Sequence, residues 1–209
     1  MHRYLSYGYS ALIVGGLALA FGAGLQGSLG DPLSVIAGTP AFAVSAAARL
    51  AGVTAMLVGM AAITAAASVR GGRLALVAGT LVTANLVLQA GWIWADLFLS
   101  PVVAGSAPGI LDGTVENSRL TVGFLLAWLM NVAFALLGVV VLRARSHRPL
   151  VGWGLVAMGV VTLIPLPFDG PVYEVLIGLA CVLVGYGSRT SEDVESRIAS
   201  ELAVGGIAR

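Results

Sequence analysis

The feature that most limits what this chain can fold into is a series of long apolar runs with almost no charge inside them. Asp96 follows Arg73 by 23 residues with no ionisable side chain between them, about 34 Å along an ideal helix. About 20 helical residues suffice to cross the hydrocarbon core of a bilayer. Apolar runs occupy Arg3–Asp31 (with its heart at Ala11–Leu25), most of Ala41–Val69, Leu74–Leu99, Leu120–Leu142, Leu150–Leu163 and Pro171–Gly187. The first four meet the length requirement comfortably and the last two are short. With 58% hydrophobic and 10% charged residues and a mean hydropathy of +0.97, the 209-residue chain lies outside the range of soluble domains.

The expected fold is therefore an all-α integral membrane protein, a bundle of six transmembrane helices over residues 1–187. A polar tail, residues 188–209, follows it. There Thr190 and Asp193 resemble a capping box, and Val194, Ile198 and Leu202 line one face of a short amphipathic helix. Met1-His2-Arg3 and Ala18-Leu19-Ala20 imitate a signal sequence, but the apolar run continues past Ala20 with no polar segment, so the first run reads as a retained span.

Arginine sets the expected orientation. One set of connections holds Arg3, then Arg70 and Arg73, then Arg143, Arg145 and Arg148, and finally Arg189, Arg197 and Arg209. The opposite set holds Arg49 and Arg119 against Asp31, Asp96, Asp112, Glu116 and Asp169. The positive-inside rule places both termini in the cytoplasm and the protein in the cytoplasmic (inner) membrane as a multi-pass chain. All eleven cationic residues are Arg, which reads as the codon bias of a GC-rich prokaryote. The outer connections, Gln26–Pro40 and Ser100–Ser118, are the long ones and the natural place for function.

Composition also excludes. A net charge of +1 leaves no basic footprint for nucleic acid. The single Cys181 lies inside an apolar run and reads as a packing residue. His2 and His147 sit beside Arg at polar edges, so neither a metal site nor a cofactor is expected. The chain carries no phosphate loop, no CxxC and no Ser-His-Asp constellation.

A candidate polar crevice remains, on the expected outer side. Asn85, Gln89, Trp92 and Asp96 are offset by 0, 4, 7 and 11 residues, one narrow helical stripe at about 100° per residue. Counted from the inner arginines, Arg49, Asp96 and Arg119 reach one outer level, so Asp96 is expected to pair with Arg49 or Arg119. Glu174 lies only 15 residues before Arg189, about 22 Å, and is expected below that level. The Pro165–Pro171 turn between the fifth run and Glu174 holds three prolines and is expected to dip inward, carrying Asp169 with Glu174. Asn131, near the midplane and on a face with Ala127, Ala135 and Gly138, is expected to make an interhelical amide bond. Small residues at Gly16, Ala20 and Gly24, and at Ala48, Gly52, Ala55, Gly59, Ala62 and Ala66, predict close helix packing or a homo-oligomeric face. Arg, basic turn and Asp-before-Pro recur in one order in the two halves, a faint internal repeat.

The functional expectation is a small non-enzymatic membrane protein, either a permease-like unit or the integral subunit of a membrane complex. Its expected partners are the lipid bilayer and either a membrane protein or a second copy of itself. The alternative is a membrane-embedded enzyme acting on a lipid or isoprenoid, with Asp96, Asp169 or Glu174 as acid or base.

Overall fold

The computed structural model describes residues 2–114, 122–123, 125–126, 129–164 and 170–206, with residues 2, 3, 170 and 191–206 as backbone alone. Among the described residues all regular structure is helical: α1 (His2–Ser28), α2 (Leu33–Ile36), α3 (Pro40–Phe98), α4 (Ser100–Ser106), α5 (Pro108–Leu111), α6 (Val132–Ala144), α7 (Pro149–Val161) and α8 (Gly170–Gly206). Among the described residues, three stretches are long and apolar enough to cross a membrane: Tyr4–Ser28, Pro40–Phe98 and Pro171–Thr190. The apolar α6 and α7 are shorter, 13 residues each, or about 20 Å.

The 59-residue α3 is not straight. It begins at Thr39, whose Oγ1 accepts from the Phe42 amide at 3.2 Å, with Pro40 where a missing donor costs nothing. At Gly72 the backbone turns to φ 56°, ψ −137°, a conformation that side chains with a Cβ avoid. The helix doubles back there. Arg49 and Asp96, which 47 unbroken helical residues would hold about 70 Å apart, approach to 3.1 Å. The arms before and after Gly72 are thus antiparallel neighbours.

Close approach of small residues decides which helices meet. A Cβ at Gly15 would stand 2.7 Å from the Gly52 carbonyl oxygen, and one at Gly59 would stand 3.0 Å from that of Gly8. Gly8, Gly15 and Gly22, seven apart, turn one face of α1 to the first arm of α3. Gly16 lies on another face, where a Cβ would run into the Gly178 oxygen of α8. Gly24 has nothing within 4 Å. Backbones this close gain dispersion and interhelical contacts, which hold helices together where lipid cannot. The second arm of α3 packs on α6, α6 on α7, and α7 on α8, so the helices close a ring in chain order.

Inside the ring lies a core that includes Leu12, Leu19, Met56, Met60, Ile63, Leu86, Phe134 and Leu155. Outside, Leu17, Phe21, Val87, Trp153 and Leu183 are exposed apolar side chains, a surface suited to lipid. A second, smaller core forms from Ile36, Ala37 and Phe42 with Leu33, Ala104 and Leu111 beside it. Asp112 ties this cap together, accepting from the Ser34 amide at 3.0 Å and the Ser34 hydroxyl at 2.6 Å. These bonds to its charged form hold the Asp112 carboxyl below its ordinary pKa.

The capping-box residue Thr190 does not start a new helix. α8 runs unbroken through residues 170–206, and the Thr190 hydroxyl donates to the Gly187 carbonyl at 3.1 Å. A hydroxyl satisfied one turn back no longer competes with the helix, so the polar segment extends it.

Candidate functional site

Among the described residues, three polar clusters stand along the bundle. The first is built on Arg49, in the first arm of α3. Gly22 on α1 makes room for it: a Cβ there would come within 2.7 Å of Arg49 Cγ. One turn before Arg49, Ser45 donates to the Gly22 carbonyl at 2.7 Å and pins the two helices. The guanidinium donates through Nε and Nη2 to the two oxygens of Glu174, both at 2.6 Å. Its Nη1 donates to Gln26 Oε1 at 2.6 Å and to Asp96 Oδ2 at 3.1 Å. The paired bond to Glu174 is the fork geometry in which guanidinium and carboxylate match. Asp96 also takes a hydrogen bond from Ser100, four residues further on.

One cation therefore joins α1, both arms of α3 and α8. The Arg49 side chain is 4% exposed, that of Asp96 11% and that of Glu174 27%, so the cluster is closed on the Arg49 side and opens past Glu174. Two carboxylates face one guanidinium. The cluster carries one net negative charge when all three groups are ionised.

The second cluster is uncharged. Asn131 Oδ1 accepts from Asn85 Nδ2 at 2.9 Å and from Gln89 Nε2 at 3.0 Å, joining the second arm of α3 to the chain entering α6. Asn131 keeps helical dihedrals, φ −60° and ψ −21°, directly before α6 begins at Val132.

The third cluster lies at the other end of α1. The Tyr9 hydroxyl meets His147 Nε2 at 3.0 Å with the rings edge to face, and Ser146 Oγ meets His147 Nδ1 at 3.1 Å. A neutral imidazole satisfies both contacts, one nitrogen donating and the other accepting. Burial holds it neutral, lowering its pKa to about 4. Beside it, Arg145 closes α6 in the left-handed region at φ 48°, and its carbonyl accepts from Arg70 at 2.9 Å.

Of the residues singled out in the sequence, the structure joins Arg49, Asp96 and Glu174 in one cluster and Asn85, Gln89 and Asn131 in another. Trp92 belongs to neither and is 45% exposed. Val82, Asn85, Leu86, Ile93, Asp96 and Ser100 form the buried face, and its centre is rotated away from Trp92 toward Leu86 and Ile93. Arg119 and Asp169 lie outside the described residues. Gln26, Tyr9 and His147 were not singled out, although each is a polar group at the edge of an apolar run. Among the described residues no group of three or more His, Cys, Asp or Glu stands close enough to hold a metal ion.

Comparison with known protein families, curated proteins and solved structures finds no match for this chain.

Proposed function

We propose that the protein is a six-span, multi-pass protein of a prokaryotic cytoplasmic membrane, with both termini inside, working as a permease-like unit. In this reading α1, the two arms of α3, the chain leading into α6, α7 and α8 are the spans, and arginine-bearing turns face the cytoplasm. The observation that carries the reading is the Arg49 cluster. Four helical segments meet at one end through a reversible ionic clasp, with Glu174 at its open side. A bundle end held by exchangeable polar bonds around an unbalanced charge is suited to opening and closing. The enzyme reading is weaker, because Asp96 and Glu174 are both engaged by Arg49.

The test is flux. Proteoliposomes carrying the full chain should pass at least one class of small solute faster than protein-free vesicles. Glu174→Gln or Asp96→Asn, folded by thermal melt, should change that rate at least tenfold. Wild-type vesicles no leakier than empty ones, across ions and uncharged solutes, would remove the reading. A second reading, an integral subunit of a complex, is favoured by the cap. Its own small core and the exposed Val35 and Val102 offer a surface to a membrane-protein partner or a second copy.

A further inference from the structure

The bundle end opposite the Arg49 cluster is rich in arginine, and its two basic turns form one surface. Arg70 Nη1 donates to the Arg145 carbonyl at 2.9 Å. A Cβ at Gly71 would stand 3.0 Å from Val140 Cγ1 and 3.6 Å from Ala144 Cβ, so the turn of α3 lies against the end of α6. Arg70, Arg73, Arg143 and Arg145 are all exposed there. The acidic residues with described side chains, Asp31, Asp96, Asp112 and Glu174, all belong to the other end. A backbone bond thus gathers like charges with no described carboxylate among them.

A second observation lies beside the first. Each of the two helices carries an exposed apolar stripe headed by one of these arginines. On the second arm of α3, Arg73 is followed at steps of four by Val77 and Leu81, both exposed. On α6, Leu136 and Val139 lead at steps of three and four to Arg143, again all exposed. Exposed tyrosines mark the same end: Tyr4 and Tyr7 on α1, and Tyr186 on α8, whose neighbour Gly185 packs on Tyr9. Tyrosine rings favour the level at which lipid headgroups meet the apolar interior.

The chemistry of the surface selects the partner. Guanidinium forks match phosphate oxygens, and an uncompensated group of them attracts an anion. Free phosphate would satisfy the arginines and leave both apolar stripes uncovered. A zwitterionic lipid brings its own cation beside the phosphate. An acidic phospholipid brings a net negative headgroup and acyl chains in one molecule, matching charge to charge and apolar stripe to chain.

We infer that the paired turns bind an acidic phospholipid, with Arg70, Arg73, Arg143 and Arg145 around its headgroup phosphate and its acyl chains along the stripes of α3 and α6. The inference goes beyond the permease-like reading and does not rest on it.

The experiment is native mass spectrometry of the full chain released from mild detergent, titrated with phosphatidylglycerol or phosphatidylcholine. Wild type should bind phosphatidylglycerol at least fivefold more tightly. Arg73→Gln and Arg143→Gln, both at exposed positions, should each weaken that binding about fivefold. Arg189→Gln, exposed on α8 at the same end, should change it less than twofold. Equal affinity for the two lipids, or an equal loss in Arg189→Gln, would overturn the inference. Inorganic phosphate binding in place of phosphatidylglycerol, with the same dependence on Arg73 and Arg143, would overturn the lipid as occupant. Flux measured in the same preparations keeps the two readings apart. Preference for phosphatidylglycerol without flux leaves the inference standing and removes the permease-like reading, and flux without that preference does the reverse.

Discussion

The two ends of α1 are fastened by different chemistry. Gln26 and Tyr9 are 17 residues apart, about 26 Å along the helix, and each joins a cluster that reaches distant chain. At the Gln26 end a buried guanidinium binds two carboxylates and an amide. At the Tyr9 end a neutral imidazole accepts or donates single hydrogen bonds. The contrast follows from what each end can tolerate. A buried charge is stable only with its counter-charges in place, so the ionic end is strongly cooperative. A neutral, part-buried hydrogen bond contributes much less than a buried ion pair, so the imidazole end is graded.

Removing the cation should break this contrast most strongly. Arg49→Leu leaves Asp96 and Glu174 without their shared partner and should cost about 3 to 5 kcal/mol. Tyr9→Phe at the other end should cost about 1 kcal/mol. Denaturation in matched detergent measures both, and equal losses would end the distinction. The backbone contact between the ends comes next. Gly52→Leu forces a Cβ to within 2.7 Å of the Leu19 nitrogen and should cost about 3 kcal/mol, whereas Gly24→Leu, in open space, should be nearly silent.

Acidity should sharpen the comparison from the imidazole side. The folded His147 pKa, about 4, lies below its ordinary value of about 6.5. Between those values the unfolded chain binds the extra proton, so this contribution to stability is full above about pH 6.5 and falls toward pH 4. The loss should be about 2 kcal/mol, allowing for the solvent that still reaches the ring, and His147→Gln should abolish this component in pH-resolved melts. The smallest effect belongs to the cap. Asp112→Asn should leave global melting unchanged while hastening hydrogen exchange at the Ser34 amide. A large global loss there would make the cap part of the main core.

Legibility in the sequence followed the charges. Arg49 and Asp96 could be placed near one level because arginines at Arg70 and Arg73 mark where both arms begin to count. Nothing in spacing alone chooses Arg49 over Arg119, since the choice depends on which helices are adjacent. Glu174 shows the same limit: its depth can be counted, but its partner comes from α8 lying against α1. Periodicity could align Asn85, Gln89 and Asp96, yet it misplaced Trp92 because polar residues alone give an off-centre estimate of a buried face. The Tyr9–His147 contact spans 138 residues and leaves no periodic trace in either segment. The heptad of Gly8, Gly15 and Gly22 was present, but a search for steps of four passes over it.

The ring order has a consequence for biogenesis. The long helices pack in chain order, α1 on α3, α3 on α6, α6 on α7 and α7 on α8, so a nascent bundle grows by successive docking of the newest long segment on the one before it. The principal exception is α8, which must return to α1. Until it does, Arg49 has Asp96 and Gln26 but not its bidentate partner. Arrival of Glu174 therefore completes the Arg49 cluster, and the same guanidinium that clasps the folded protein registers that α8 has docked.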